Sequence, residues 1–255
     1  MSAQSLPRRM YSDHAAGNPL PVPSAERPEM DLPVAYAIQK AYVELRLGNE
    51  EIAGFKAGAT APGPQRAFGL SEPITGVLFA SGLRENSVSV RLSEFRALML
   101  EVELGFRLGR AIHEVPAGVA ALREHVDAVL PMVELAEIPF GGARFTGPDL
   151  IAANSASCAY IAGLEPAWRQ ADINGIQVRF SRDGEVLHEA RASDVMGDQW
   201  QALLWLVTRV LEQGYVLEPG QLLMTGSIGA AHAGKPGRYE ADFGDFGRVT
   251  FDVTE

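Results

Sequence analysis

The chain has 255 residues, 47% of them hydrophobic and 21% charged, which suits one globular domain, or one with a small appendage, and excludes a disordered, collagenous or disulfide-scaffold protein. With 32 acidic against 22 basic residues the formal net charge is -10, so nucleic acid or an anionic membrane would have to be engaged against the overall field. A small-molecule or protein partner is the expectation. Cys158 is the single cysteine, which rules out an internal disulfide and a cysteine-based zinc site and suits a reducing compartment. The N-terminal MSAQSLPRRMYSDHAAG has no signal-peptide core, and no window approaches the ~18 to 20 apolar residues of a membrane helix, so a cytoplasmic location is expected.

In chain order, a short amphipathic helix is expected over residues 3–16. The stretch Gly17 to Pro33 holds Pro19, Pro21, Pro23, Pro28 and Pro33 and reads as a connector. Asp31 is placed to cap a second helix, with Ala35, Ile38, Tyr42 and Leu45 at helical spacing and Gly48 as its stop. Residues 1–50 therefore form a helical arm, and a β-rich body occupies 51–255.

Within the body, Ile74 to Phe79 and Val88 to Leu92 read as extended. Residues 98–108 alternate strictly, Leu98, Leu100, Val102, Leu104, Phe106 and Leu108 facing one way and Met99, Glu101, Glu103, Gly105 and Arg107 the other. A helix is expected over 117–128, a strand from Val129 to Leu135, and a short helix opened by Pro148 and Asp149. Gln177 to His188 reads as a hairpin turning at Asp183-Gly184, a pair that accepts positive φ. Gly197-Asp198 starts a helix with Leu203, Leu204, Val207, Val210 and Leu211 as its apolar stripe and Gly214 as its stop. Strands and glycine-rich turns occupy 221–254.

Glu101 and Glu103 are two apart on a strand, so both carboxylates project from the face opposite the apolar one. A solvated face of an antiparallel sheet is the commoner cause of such a pair. A hard-cation site is the alternative, since carboxylate oxygens select Mg²⁺, Mn²⁺ or Ca²⁺ over softer metals. Glu134 and Glu137 lie in PMVELAE among apolar residues, where an unpaired carboxylate would be costly, and are candidates for a third carboxylate.

Lys40, Lys56 and Lys235 are the only lysines. Lys56, in GFKAGAT, is flanked by Gly54 and Gly58, which permit close approach of a ligand. It reads either as a strand lysine reaching solvent or as a cation for an organic carboxylate or a developing oxyanion. MTGSIG (224–229) places Thr225 and Ser227 in a segment with free backbone N–H groups, a tight turn or an anion site. His14, His113, His125, His188 and His232 are scattered, and there is no G-x-S-x-G, phosphate loop or dinucleotide fingerprint.

DLPVAYAIQ (31–39), GFKAG (54–58), FGLSEPITGVLF (68–79), LEVELGFRLG (100–109), PMVELAE (131–137), the Asn154 region, LEPGQLLMTGS (217–227) and the ending PGRYEADFGDFGRVTF occur in the order seen in one family. Together they resemble the 2-keto-4-pentenoate hydratase and 4-oxalocrotonate decarboxylase family of the fumarylacetoacetate hydrolase superfamily. The resemblance implies an α+β fold, a mixed β-sheet roll with flanking helices and an N-terminal helical arm, in which 51–255 is the catalytic domain, and a homo-oligomer. It implies Mg²⁺ or Mn²⁺ held by Glu101, Glu103 and Glu134, with Lys56, Asn154, Thr225 and Ser227 toward a small 2-oxo acid substrate.

Ile74-Thr75 and Ala153 stand where hydratases often carry acids, and RASDVMGDQW replaces their glycine-rich segment before Leu-Gly-His-Pro. Glu72 or Glu137, or a relaying water, is then left to transfer the proton alongside Lys56. The implied activity is metal-dependent addition of water to a short unsaturated 2-oxo acid such as 2-hydroxypenta-2,4-dienoate. The alternatives are a 4-oxalocrotonate-type decarboxylase, a C–C bond hydrolase of the same superfamily, against which the arm's lack of H-x-x-E counts, and a non-catalytic 2-oxo-acid-binding protein.

Overall fold

The computed structural model describes residues 5–255. The arm contains α1 (Leu6–Ala15) and α2 (Leu32–Arg46). Residues 3 and 4 of the first expected helix lie outside the described residues. Helix α2 begins where Asp31 Oδ1 accepts the Val34 N–H at 2.9 Å, as a cap should, with Pro33 in the first turn where a missing N–H costs nothing.

The body continues as β1 (Ile52–Gly58), α3 (Pro62–Phe68), β2 (Ile74–Phe79), β3 (Leu83–Arg84), β4 (Ser89–Arg91) and β5 (Leu98–Leu108). Next come α4 (Val119–Arg123), β6 (Val126–Glu137), α5 (Gly147–Ala152), β7 (Ala159–Ala162), β8 (Gln177–Arg182) and β9 (Glu185–Arg191). The chain closes with α6 (Gln199–Glu212), β10 (Leu222–Met224), β11 (His232–Ala233), β12 (Gly237–Asp242) and β13 (Arg248–Thr254).

Strand β5 has the bounds its alternation predicts. The Asp183-Gly184 turn takes φ of 52° and 83°, and Asp198 caps α6 by accepting the Gln201 N–H at 2.9 Å. The expected helix over 117–128 is a single short helix, α4. From Val126 the chain pairs with Leu108, and the β-branched Val126 and Val129 join the longer strand β6, so sheet pairing overrides the helical reading.

One mixed sheet has the order β2-β1-β10-β5-β6-β7-β3, with β11 also pairing β5, and a second has the order β4-β13-β12-β8-β9. Pairing is parallel at β1/β10, β3/β7 and β4/β13 and antiparallel elsewhere. The leucine-rich face of β5 meets Phe180, Tyr239 and Phe251 of the second sheet and Leu203, Leu206 and Val210 of α6 in the main core. Each such fully buried apolar side chain contributes roughly 1.5–3 kcal/mol. The arm packs onto the body: Leu6, Met10, Ile38 and Tyr42 are buried with Ile74, Ala136, Phe140, Leu150 and Ile151. Asp149 ties the connector down by accepting from Ser24 N at 2.6 Å and Ser24 Oγ at 2.8 Å.

Candidate metal centre and active-site cavity

The register of the larger sheet assembles the site. Glu101 stands directly opposite Glu134 across β5 and β6, and Glu103 is the next residue on the same face. Lys56 pairs with Met224, and Met224 with Gly105, which puts the lysine on that face two strands away. Gly105 leaves room there for Met132, whose Sδ would lie 2.0 Å from a Cβ at this position and would have to move.

Oxygens of Glu101, Glu103 and Glu134 lie within 4.8 Å of one another. Glu103 and Glu134 are fully buried, Glu101 is half-buried and Lys56 is 3% exposed, so this is not the solvated sheet face that spacing alone leaves open. Lys56 Nζ donates to Glu134 Oε2 at 2.9 Å and lies 2.8 Å from Oε1, off the hydrogen-bonding direction. The Gly226 N–H donates to Glu103 Oε2 at 2.8 Å. Gly226 has φ +108°, and a Cβ there would lie 2.5 Å from Thr60 Cγ2. Glu103 Oε1 and Glu134 Oε1 have no hydrogen-bond partner among the described residues.

Three carboxylates thus face one ammonium. Burial, reinforced by Glu134 and Glu101, pushes Glu103 well above the ordinary carboxyl range despite Lys56 and the Gly226 N–H. Burial likewise raises Glu134 to about 7, with Lys56 pulling it down and Glu101 pushing it up. Burial alone would lower Lys56, but Glu134, Glu101 and Glu103 overcome it and hold the ammonium above its ordinary value. Three carboxylates around one ammonium, with buried oxygens of Glu103 and Glu134 that take no hydrogen bond, are what a hard divalent cation satisfies, since it supplies the missing charge and accepts oxygen donors. The residues present fit such an ion.

The centre opens into a cavity of about 660 Å³. Lys56, Glu101 and Ser227 line it, together with Thr60, Ser155 and a largely apolar wall that includes Phe68, Met99, Ile138, Phe145 and Leu150. Two of the other residues singled out in the sequence stand behind this wall. Thr225 is buried, its hydroxyl donating to Gln199 Oε1 at 2.6 Å and lying 3.3 Å from Leu104 O, so it positions the Gly226-Ser227 segment. Asn154 is buried and grips edge strand β2, accepting from Val77 N at 2.8 Å and donating to Val77 O at 2.9 Å.

Neither acid considered for proton transfer lines this cavity. Glu72 pairs with Arg209 at 2.5 Å. Glu137, three residues beyond Glu134 on the same strand and so turned to the opposite face, accepts from Arg96 N at 2.6 Å and Arg96 Nη1 at 2.7 Å. The sequence reading also misses the apolar wall, whose members come from segments with no shared spacing, and the support given by Gln199.

A histidine pair behind the 227–231 loop is a further surprise. His188 Nε2 donates to the Ile228 carbonyl at 3.0 Å, which makes Nδ1 the acceptor for His232 Nε2–H at 2.7 Å. The rings stack at 5.0 Å and both are held below their ordinary pKa, His188 by burial and His232, His232 by burial.

The fumarylacetoacetate (FAA) hydrolase C-terminal family model matches residues 59–254. A 2-keto-4-pentenoate hydratase of Paraburkholderia phymatum is 29% identical over 231 residues, covering 89% of this chain and 88% of that protein. A 2-keto-4-pentenoate hydratase of Burkholderia vietnamiensis is 27% identical over 257 residues, covering 100% of this chain and 98% of that protein. Among solved structures, the 4-oxalocrotonate decarboxylase from Pseudomonas putida G7, complexed with magnesium and adipate, superposes with a TM-score of 0.90 at 21% identity, covering 98% of this chain and 96% of that one. The family match takes in strands β2 to β13 and includes all three carboxylates, so the chain belongs to the fumarylacetoacetate hydrolase C-terminal family.

Proposed function

We propose that this protein is a divalent-metal-dependent lyase that adds water to an unsaturated 2-oxo acid, with Mg²⁺ or Mn²⁺ held by Glu101, Glu103 and Glu134. One observation carries the reading: a fully buried carboxylate pair, each with one oxygen that takes no hydrogen bond, a third carboxylate and a single lysine converge at the end of a cavity large enough for an organic acid. The curated relatives named as hydratases over nearly the whole chain support it.

When bound, the cation draws electron density from a 2-oxo acid's carbonyl and so eases proton removal from the adjoining carbon and water addition further along the chain. Glu101, Glu103 and Glu134 supply the negative charge that holds that ion. Lys56, fixed on Glu134, presents its ammonium to the substrate's negative oxygens and carries a proton at Nζ. Ser227 offers a hydroxyl at the cavity wall. Glu72 and Glu137 are engaged by arginines elsewhere, so among the described residues of the lining Lys56 and Glu101 are the titratable side chains left to move a proton. The apolar wall keeps bulk water away from the reacting carbons.

The test is product analysis with purified protein and Mg²⁺. Incubation with 2-hydroxypenta-2,4-dienoate is expected to yield the 4-hydroxy-2-oxo acid. Release of CO₂ from 4-oxalocrotonate as the faster reaction would instead establish the decarboxylase. Neither product, with cation binding intact, would mean either a binding protein without catalysis or an enzyme for a different acid.

A further inference from the structure

We infer that the acid taken by this cavity carries an uncharged, apolar substituent at the end remote from its carboxylate, an alkyl or aryl tail, and that dicarboxylates are excluded. The inference rests on the lyase reading above for the position of the acid's head group and goes beyond it in naming the tail. At one end the lining holds Lys56 and Glu101 beside the carboxylate cluster. Met99 stands two residues back along β5 on the same face as Glu101, roughly 7 Å away, so the route from the head group runs over the Met99 side chain.

Beyond Met99 the wall is Ile138, Leu150, Phe145 and Phe68, and the two aromatic rings stack with centroids 5.8 Å apart. The remaining polar side chains of the lining, Thr60, Ser155 and Ser227, are uncharged. Arg66 and Arg144 are neighbours in sequence of lining residues but are exposed and are not themselves part of the lining. A second carboxylate on the substrate would enter this wall with no cationic side chain among the described lining residues beyond Lys56 to meet it, and an unpaired carboxylate out of water is strongly disfavoured. A methylene chain or a ring, in contrast, is favoured by every apolar contact it makes. The volume points the same way. About 660 Å³ lies well inside the range of roughly 300–1,000 Å³ typical of sites for drug-sized ligands, and a five-carbon acid leaves most of it unfilled.

The decisive experiment is calorimetric binding of unreactive, saturated 2-oxo acids to the Mg²⁺-loaded protein: pyruvate, 2-oxopentanoate, 2-oxohexanoate, 2-oxooctanoate and the dicarboxylate 2-oxoadipate. Affinity is expected to rise by about fourfold per methylene from 2-oxopentanoate to 2-oxooctanoate. 2-Oxoadipate should bind at least tenfold more weakly than 2-oxohexanoate, its equal in chain length. Phe68→Ala should weaken 2-oxooctanoate several-fold and leave pyruvate unchanged, and Phe145→Ala serves the same purpose if the first variant folds poorly. Pyruvate binding that is Mg²⁺-dependent, with affinity flat along the series or highest for 2-oxoadipate, overturns the tail assignment and leaves the lyase reading standing. Loss of Mg²⁺-dependent binding for every acid overturns both.

Discussion

Glu103 uses one carboxylate oxygen to accept the Gly226 N–H and leaves the other without a partner in a fully buried position. Glu103→Gln keeps an oxygen for Gly226 but removes the charge a cation needs. Because even the groups that merely orient a metal ligand are worth roughly 10- to 100-fold in affinity, this change should weaken Mg²⁺ or Mn²⁺ binding by at least about 100-fold, as read by calorimetry. Unchanged affinity would remove Glu103 from the ligand set. Lys56→Met leaves Glu134 without its ammonium, and oxalate binding in the presence of Mg²⁺ should fall by about tenfold or more. If oxalate binding and turnover both persist, Lys56 only neutralises its neighbours. At this scale the sequence is informative where a period decides the question. Two residues apart on a strand means one face, which joins Glu101 to Glu103 and, by the same rule, turns Glu137 away from Glu134. Burial is what spacing does not reveal, since the same pair would suit a wet sheet face.

Edge strand β2 shows how an element is held in place by residues far away in sequence. The Asn154 amide occupies both polar groups of Val77, and Ser155 Oγ donates to Thr75 O at 2.6 Å. To do so, Asn154, Ser155 and Ala156 adopt φ of 63°, 54° and 61°, a conformation that side chains rarely tolerate in succession and that the surrounding contacts must impose. Asn154→Ala would strand the buried Val77 N–H, while Val77 C=O keeps the Ser157 hydroxyl at 2.8 Å, and a loss of roughly 1–3 kcal/mol in urea unfolding is expected, the cost of one orphaned group. A loss under about 0.5 kcal/mol would mean that the Asn154 amide is not what holds β2 in place. The Asn154 region is visible in the sequence as a motif, but its bracing role is not, because it depends on an edge strand nearly eighty positions earlier. Strand β5 and the Asp183-Gly184 hairpin are legible because their signals are local. Helix α4 is overestimated for the converse reason, since Val126 and the residues after it are claimed by β5 through long-range pairing.

For the molecule as a whole, the carboxylate cluster links cation binding, pH and stability. A carboxyl raised in the folded chain is favoured in its protonated form, so the stability it contributes is whole below its ordinary value of 4.5 and is lost as pH rises through about 7, the value for Glu134. A divalent cation competes with that proton and supplies the balancing charge once the proton has left. Thermal unfolding should therefore show a larger Mg²⁺-induced rise in Tm at about pH 8 than at about pH 5.5, with the cation-free protein losing this contribution between the two. An equal rise at both values would show that the cation binds away from the cluster. The cavity exists only at this scale: its lining spans Lys56 to Ala231, drawn from strands, short helices and loops, and no window of the sequence contains enough of it to be recognised.

The most direct test of the central claim is anomalous diffraction from crystals grown with Mn²⁺ and oxalate. A single strong anomalous peak within about 2.5 Å of oxygens from Glu101, Glu103 and Glu134, with oxalate bridging from it toward Lys56, is the expected result. A peak at other residues, or none at saturating Mn²⁺, would contradict the account.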